Sequence, residues 1–174
     1  MSELDLLLIA RVLHVVASTL WGGGAILIAA YLLPAIRAAG PAGSAVMRQL
    51  TVVRKLPEAL AAIGIVAIVS GGYLYWVDSR GLQASWLASG CGLAYAAGGL
   101  ASLAAAAIGL GINIPTANRM GSLAQALHAS GAPPTPEQSQ ILGRFAVRIA
   151  RGTRAVAVLL ALAVTAMAVA RYLP

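Results

Sequence analysis

Four long runs of apolar residues, separated by proline and short polar stretches, set the pattern of this chain. The first runs from Leu6 to Leu33 and meets Pro34, which lacks a backbone donor and is expected to end the helix. The second, Pro57 to Val77, opens with a proline suited to a first helical position and with Glu58 set against the positive end of the helix dipole. Asp78, Ser79, Arg80 and Gly81 then read as a tight turn. The third run, Ser85 to Ile114, is rich in Gly, Ala and Ser and is expected to stop before Pro115. The fourth, Thr153 to Leu173, is built from Ala, Val and Leu, with Thr165 and Met167 as its unusual members. Each run is about as long as the 20 or so residues that cross a bilayer as a helix.

Two segments between the runs carry a different period. Thr135-Pro136-Glu137-Gln138 reads as an N-cap, a first-position proline and a capping-box partner, so a helix is expected over 136–151. Its Ile141, Leu142, Phe145 and Ile149 share one face, and Arg144, Arg148 and Arg151 lie along another, as in a helix that grazes the lipid interface and grips anionic headgroups. This helix either joins the fourth run or breaks at Gly152. Ser44 to Lys55 forms a weaker amphipathic segment, with Val46, Leu50 and Val53 against Arg48 and Arg54. Within the third run Ala94, Gly98, Ser102 and Ala106 recur every four positions, a stripe that lets a neighbouring backbone come close and marks this as the central packing helix.

Composition excludes the soluble alternatives. Of 174 residues, 60% are hydrophobic and 10% charged, and a mean hydropathy of +0.85 is more than one small water-soluble core can hide. The expected fold is all-α: one transmembrane domain over 1–174, a four-helix bundle with amphipathic helices in the first and third loops. The net charge of +7 is not one recognition patch, and nucleic acid is not an expected partner. Arg37, Arg48, Arg54 and Lys55 fall in the first loop, and Arg119, Arg144, Arg148, Arg151 and Arg154 in or beside the third, against Arg11, Arg80 and Arg171 at the other ends. Basic residues are retained on the cytoplasmic side, so both long loops are expected there and both termini outside. Tyr73, Tyr75, Trp76, Trp86 and Tyr172 would form an aromatic belt at the opposite interface. No basic region precedes the first run, which is expected to remain in the mature protein as a multi-pass component of a bacterial inner membrane.

Candidate chemistry centres on His14, because an ionisable group inside a span is costly and tends to face the bundle interior. Ser18, Trp21 and Ala25 follow it at helical spacing. Counted at the helical rise from the ends opposite the long loops, His14, Cys91 and Met167 come out at similar depths of about 8 to 12 Å on three helices. Imidazole, thiol and thioether suit copper, and His with Met is also an axial pair for haem. Tyr95, one turn from Cys91, is a candidate to line the same pocket. The alternative for each is packing: His14 bonded to a neighbouring helix, Trp21 filling space, Met167 and Cys91 as apolar filler. His128 falls in the third loop, on the far side from His14, and is expected to be solvated. With Cys91 as the only cysteine there is no intramolecular disulfide, and no span carries a central acid, a catalytic triad or a phosphate loop.

Arg11-Val12-Leu13-His14 followed by Trp21-Gly22-Gly23 resembles the opening helix of CopD-like copper-resistance proteins and their uncharacterised small bacterial membrane relatives. The resemblance extends through the fourth run, and it implies a bundle of four or more helices and an association with copper or haem, with His14 and Trp21 as the matching positions. The same opening is similar to that of HemJ-type protoporphyrinogen oxidases, which bind haem and use further intramembrane histidines; this chain has none.

The resulting expectation is a membrane protein without enzymatic activity that holds b-type haem or a metal near its outer face, through His14, Trp21, Tyr95 and Met167 for haem or His14, Cys91 and Met167 for a metal. An accessory subunit of a larger complex or of a homo-oligomer, with no cofactor, is the alternative from a different class, and copper handling a third.

Overall fold

The computed structural model describes every residue except Met1 and Ala132, and the side chains of all the others except Pro41 and His128. The expectation for His128 therefore lies outside the described residues. All structured segments among them are helical. Four helical stretches are long and apolar enough to cross a membrane: Glu3–Ala38, Leu56–Asp78, Gly90–Leu127 and Pro136–Ala170.

Helix α1 (Glu3–Leu27) starts on a capping box between Ser2 and Asp5. It does not end before Pro34. It passes through a wide π-helical turn, Ile28–Leu32, into α2 (Leu33–Ala38). Helix α3 (Gly40–Arg48) folds back and runs into a second wide turn, Gln49–Val53, ahead of α4 (Leu56–Asp78). After the short α5 (Ala84–Leu87), α6 (Gly90–Ile108) enters a third wide turn, Gly109–Asn113, and continues past Pro115 as α7 (Ile114–Ser130). The sequence expectation that the first and third spans stop at their prolines is thus corrected. A proline ring clashes with the carbonyl four residues earlier, Ala30 for Pro34 and Gly111 for Pro115. Both carbonyls lie in π-helical turns, whose extra width takes up the clash without breaking the helix.

Helix α8 (Pro136–Ala170) settles the other open point. The capping box of Thr135 and Gln138 is present, and one helix runs without a break through Gly152, which is buried. The third span also starts later than Ser85: Ser89 caps α6 by accepting from the Gly92 N–H at 3.1 Å.

Helices α1 and α4 pack closely as one antiparallel pair and α6 and α8 as another; the pairs meet through α1 with α8 and α4 with α6. Their shared core is made of small residues, Ala17, Ala25, Ala67, Ala105 and Ala157, around Trp21, Val156 and Leu160. Large apolar side chains such as Leu20, Val69, Leu100 and Leu162 point outward, the inverse of a water-soluble bundle. Ser79 builds the link between the pairs: it is fully buried, its hydroxyl donates to the Trp76 carbonyl at 3.1 Å and accepts from the Leu82 N–H at 3.0 Å.

Candidate functional site

The two helix pairs are each held by side chains resting on glycine. In the first pair the His14 imidazole lies against Gly71, where a β-carbon would come within 2.6 Å of Cε1, and the Trp21 indole lies against Gly64, where one would come within 2.8 Å of Cε2. His14 and Trp21 are seven residues apart, as are Gly64 and Gly71, so one antiparallel register satisfies both contacts. In the second pair Met167 rests on Gly98, and the roles then reverse, with Asn113 of the wide turn resting on Gly152 of α8.

His14 is half-buried and its Nδ1 lies 2.8 Å from the Ala67 carbonyl oxygen. A carbonyl only accepts, so Nδ1 carries a proton and donates; in the neutral tautomer that makes this bond, Nε2 keeps its lone pair. This bond ties α1 to α4 across the bundle. Met167 sits at the level of Gly98, which is seven residues, about 10 Å of helix, further along α6 than Cys91. The common depth expected for Cys91 and Met167 from residue counting is therefore not the depth at which they pack. Among the described residues no three His, Cys, Asp or Glu side chains gather as a metal cluster. Tyr95 belongs to an aromatic stack: its ring lies parallel to Trp86 at 6.4 Å, and Trp86 meets Tyr75 edge-on at 5.1 Å. These rings and Tyr172, over whose ring the Arg171 guanidinium lies at 4.7 Å, stand at the end of the bundle away from the two long loops.

The feature that residue counting did not reveal is a cavity at the other end. It has a volume of about 940 Å³ and is bounded by α1, α2, α3, α4, α6, α7 and α8. Trp21 lies at its inner end and Arg37 and Arg48 line it toward the long loops. From Trp21 to Arg37 the helix covers about 24 Å. All three wide turns contribute lining, through Ile28, Thr51 and Asn113 among others. Irregular backbone at membrane depth is tolerated where it faces protein or a cavity, and π-helical turns recur at functional sites. Arg37 is fixed in place, its Nη2 donating to the Ala146 carbonyl of α8 at 2.9 Å. The Asn113 side-chain oxygen is buried and has no hydrogen-bond partner among the described residues. Of these parts, Asn113 carries a signal in the sequence: an asparagine two residues ahead of a proline inside an otherwise apolar run.

A second hollow lies on the outside of the same seam. It is an open groove between α6 and α8, of about 850 Å³, in which Arg144, Arg148 and Arg151 line up beside Ile108, Ile112 and Val147.

No curated protein and no solved structure matches this chain. The matches accordingly lend no support to the likeness to CopD-like or HemJ-type proteins. A family profile does match, over residues 8–172, and the chain belongs to that family, the predicted integral membrane proteins DUF2269.

Proposed function

We propose that this integral membrane protein works as a receptor for a single-chain amphipathic molecule with an anionic head, held in the cavity between Trp21 and Arg37. The observation that carries this reading is the cavity's polarity. Its inner end is closed by Trp21, Ala25 and Leu60, and its other end holds two guanidinium groups, Arg37 and Arg48. An acyl chain that reaches half of a 30 Å hydrocarbon core needs about 15 Å, so a cavity about 24 Å long takes such a chain and its headgroup. A volume of about 940 Å³ is within the range of small-molecule sites. The shortage of catalytic groups in the spans favours binding over chemistry. The arginine-rich loop end supports a bacterial inner-membrane setting with both long loops cytoplasmic.

Trp21 makes the test direct. In a variant with Trp76→Phe and Trp86→Phe, Trp21 is the remaining indole. A dibrominated fatty acid added in detergent is expected to quench its emission saturably, and the further change Ala106→Phe, which fills the cavity wall, is expected to abolish the saturable part. Quenching that rises linearly and is the same in both variants would overturn the reading.

A second reading, b-type haem or copper on His14, has one observation in its favour. The Nδ1–H bond to the Ala67 carbonyl leaves Nε2 free to ligate, which is how metal-binding histidines are commonly oriented. An absorption spectrum of the purified protein, with metal analysis of the same sample, decides it: a Soret band or bound copper lost in His14→Ala supports ligation. A colourless, metal-free protein leaves His14 as an interhelical clasp.

A further inference from the structure

We propose that the outer groove between α6 and α8 is a separate binding site for an anionic phospholipid, with Arg144, Arg148 and Arg151 on its phosphate and Ile108, Ile112 and Ala155 along its acyl chain. This site does not depend on what the inner cavity holds.

Three observations converge on it. First, the three arginines sit at helical spacings of four and three, so they form one row on α8, and all three line the same groove. Second, their side chains are exposed, and among the described residues none has a carboxylate within ion-pair distance, so their charge is left to be met from outside the protein. Third, the groove changes character along its length. Gln140 and the arginines occupy the part beyond the fourth apolar run, while Ile108 and Ala155 reach into the spans. That sequence of surfaces, basic at the membrane boundary and apolar below it, is the arrangement of a phospholipid standing in its own leaflet.

Glycine shapes the site. Gly143 and Gly152 both line the groove, and at neither does a side chain of α8 stand between the arginines and the α6 wall. Asn113 occupies the inner side of Gly152, so the groove is closed from the cavity at that level.

The test is native mass spectrometry of the full chain after exchange into mixed phosphatidylglycerol and phosphatidylcholine. Wild type is expected to retain phosphatidylglycerol preferentially. Arg144→Gln, Arg148→Gln and Arg151→Gln together are expected to lower that preference by roughly a hundredfold, about fivefold for each charge near the surface. The corresponding triple change to lysine should keep most of it, since headgroup attraction needs charge more than a fixed fork. Inorganic phosphate in excess should leave the lipid in place. Equal retention by the glutamine variant would overturn the proposal, as would equal retention of the zwitterionic lipid by wild type. Displacement by inorganic phosphate would also overturn it, by showing a phosphate site that does not use the apolar wall. Trp21 quenching, measured on the same glutamine variant, is expected to be unchanged, which keeps this result separate from that of the cavity.

Discussion

Gly92→Ala is expected to lower the thermal midpoint of the detergent-purified protein more than alanine at any other glycine of α6, with a loss of about 2 to 3 kcal/mol. A β-carbon there would overlap the Trp86 carbonyl oxygen. That oxygen cannot retreat cheaply, because it accepts from the Ser89 N–H at 3.1 Å and from the Ser89 hydroxyl at 2.6 Å, and Ser89 in turn caps α6. Moving the carbonyl also moves the indole that stands between Tyr75 and Tyr95. Gly98 offers the comparison: a β-carbon there would meet Met167 Cγ at 2.9 Å and the Ala163 carbonyl oxygen at 3.1 Å, a milder crowding than the overlap at Gly92, so Gly98→Ala should cost less. Gly99, which faces open space, should accept alanine with no loss. Equal effects at Gly92 and Gly99 would show that the α5 to α6 turn does not constrain the fold.

Gly64→Leu is the second large effect, at about 3 kcal/mol, and its cause is specific enough to be reversed. The indole of Trp21 covers Gly64 with three ring carbons at 2.8 to 3.1 Å from where a β-carbon would stand, and Trp21 is 7% exposed, so the cavity is the space left for it to move into. Leucine at this position must force α1 and α4 apart or drive the indole into the cavity. Removing the indole in the double variant Gly64→Leu, Trp21→Ala returns comparable volume from the other side of the contact and should recover more than half of the loss. Denaturation of the two single variants and the double completes the cycle. Additive losses would mean that Trp21 and Gly64 do not share one contact.

Much of the architecture was legible because the bilayer imposes it. Length and hydropathy locate all four spans, and Thr135, Pro136 and Gln138 mark the start of α8 to the residue. The small-residue stripe also pointed the right way: Gly98 is buried against α8, although Ser102 bonds back to its own helix at the Gly98 carbonyl. The prolines misled, since a rule about one missing N–H says nothing of whether the helix can widen to keep going. The pairing of His14 with Gly71 and Trp21 with Gly64 was present as two matching heptad intervals, but an interval on each helix becomes a contact only once the register between them is known. The cavity could not be read at all. Its lining comes from all three wide turns and from helices on both sides of them, and that is a property of several segments together.

The grouping of the helices bears on how the molecule is made. Helices α1 and α4 are both complete before α6 has been synthesised, and they hold one another through contacts that involve no later residue. The same is true of α6 and α8 once α8 has been synthesised. The pairing predicts biogenesis as two hairpins that insert in turn, followed by one late joining step across the Ser79 turn. Trp21 and Leu60 belong to the first hairpin, and Ala105, Asn113 and Thr153 to the second, so neither hairpin owns a pocket before they join. A ligand that recognises the cavity consequently recognises only finished molecules, and by mass action it draws the last step of assembly to completion.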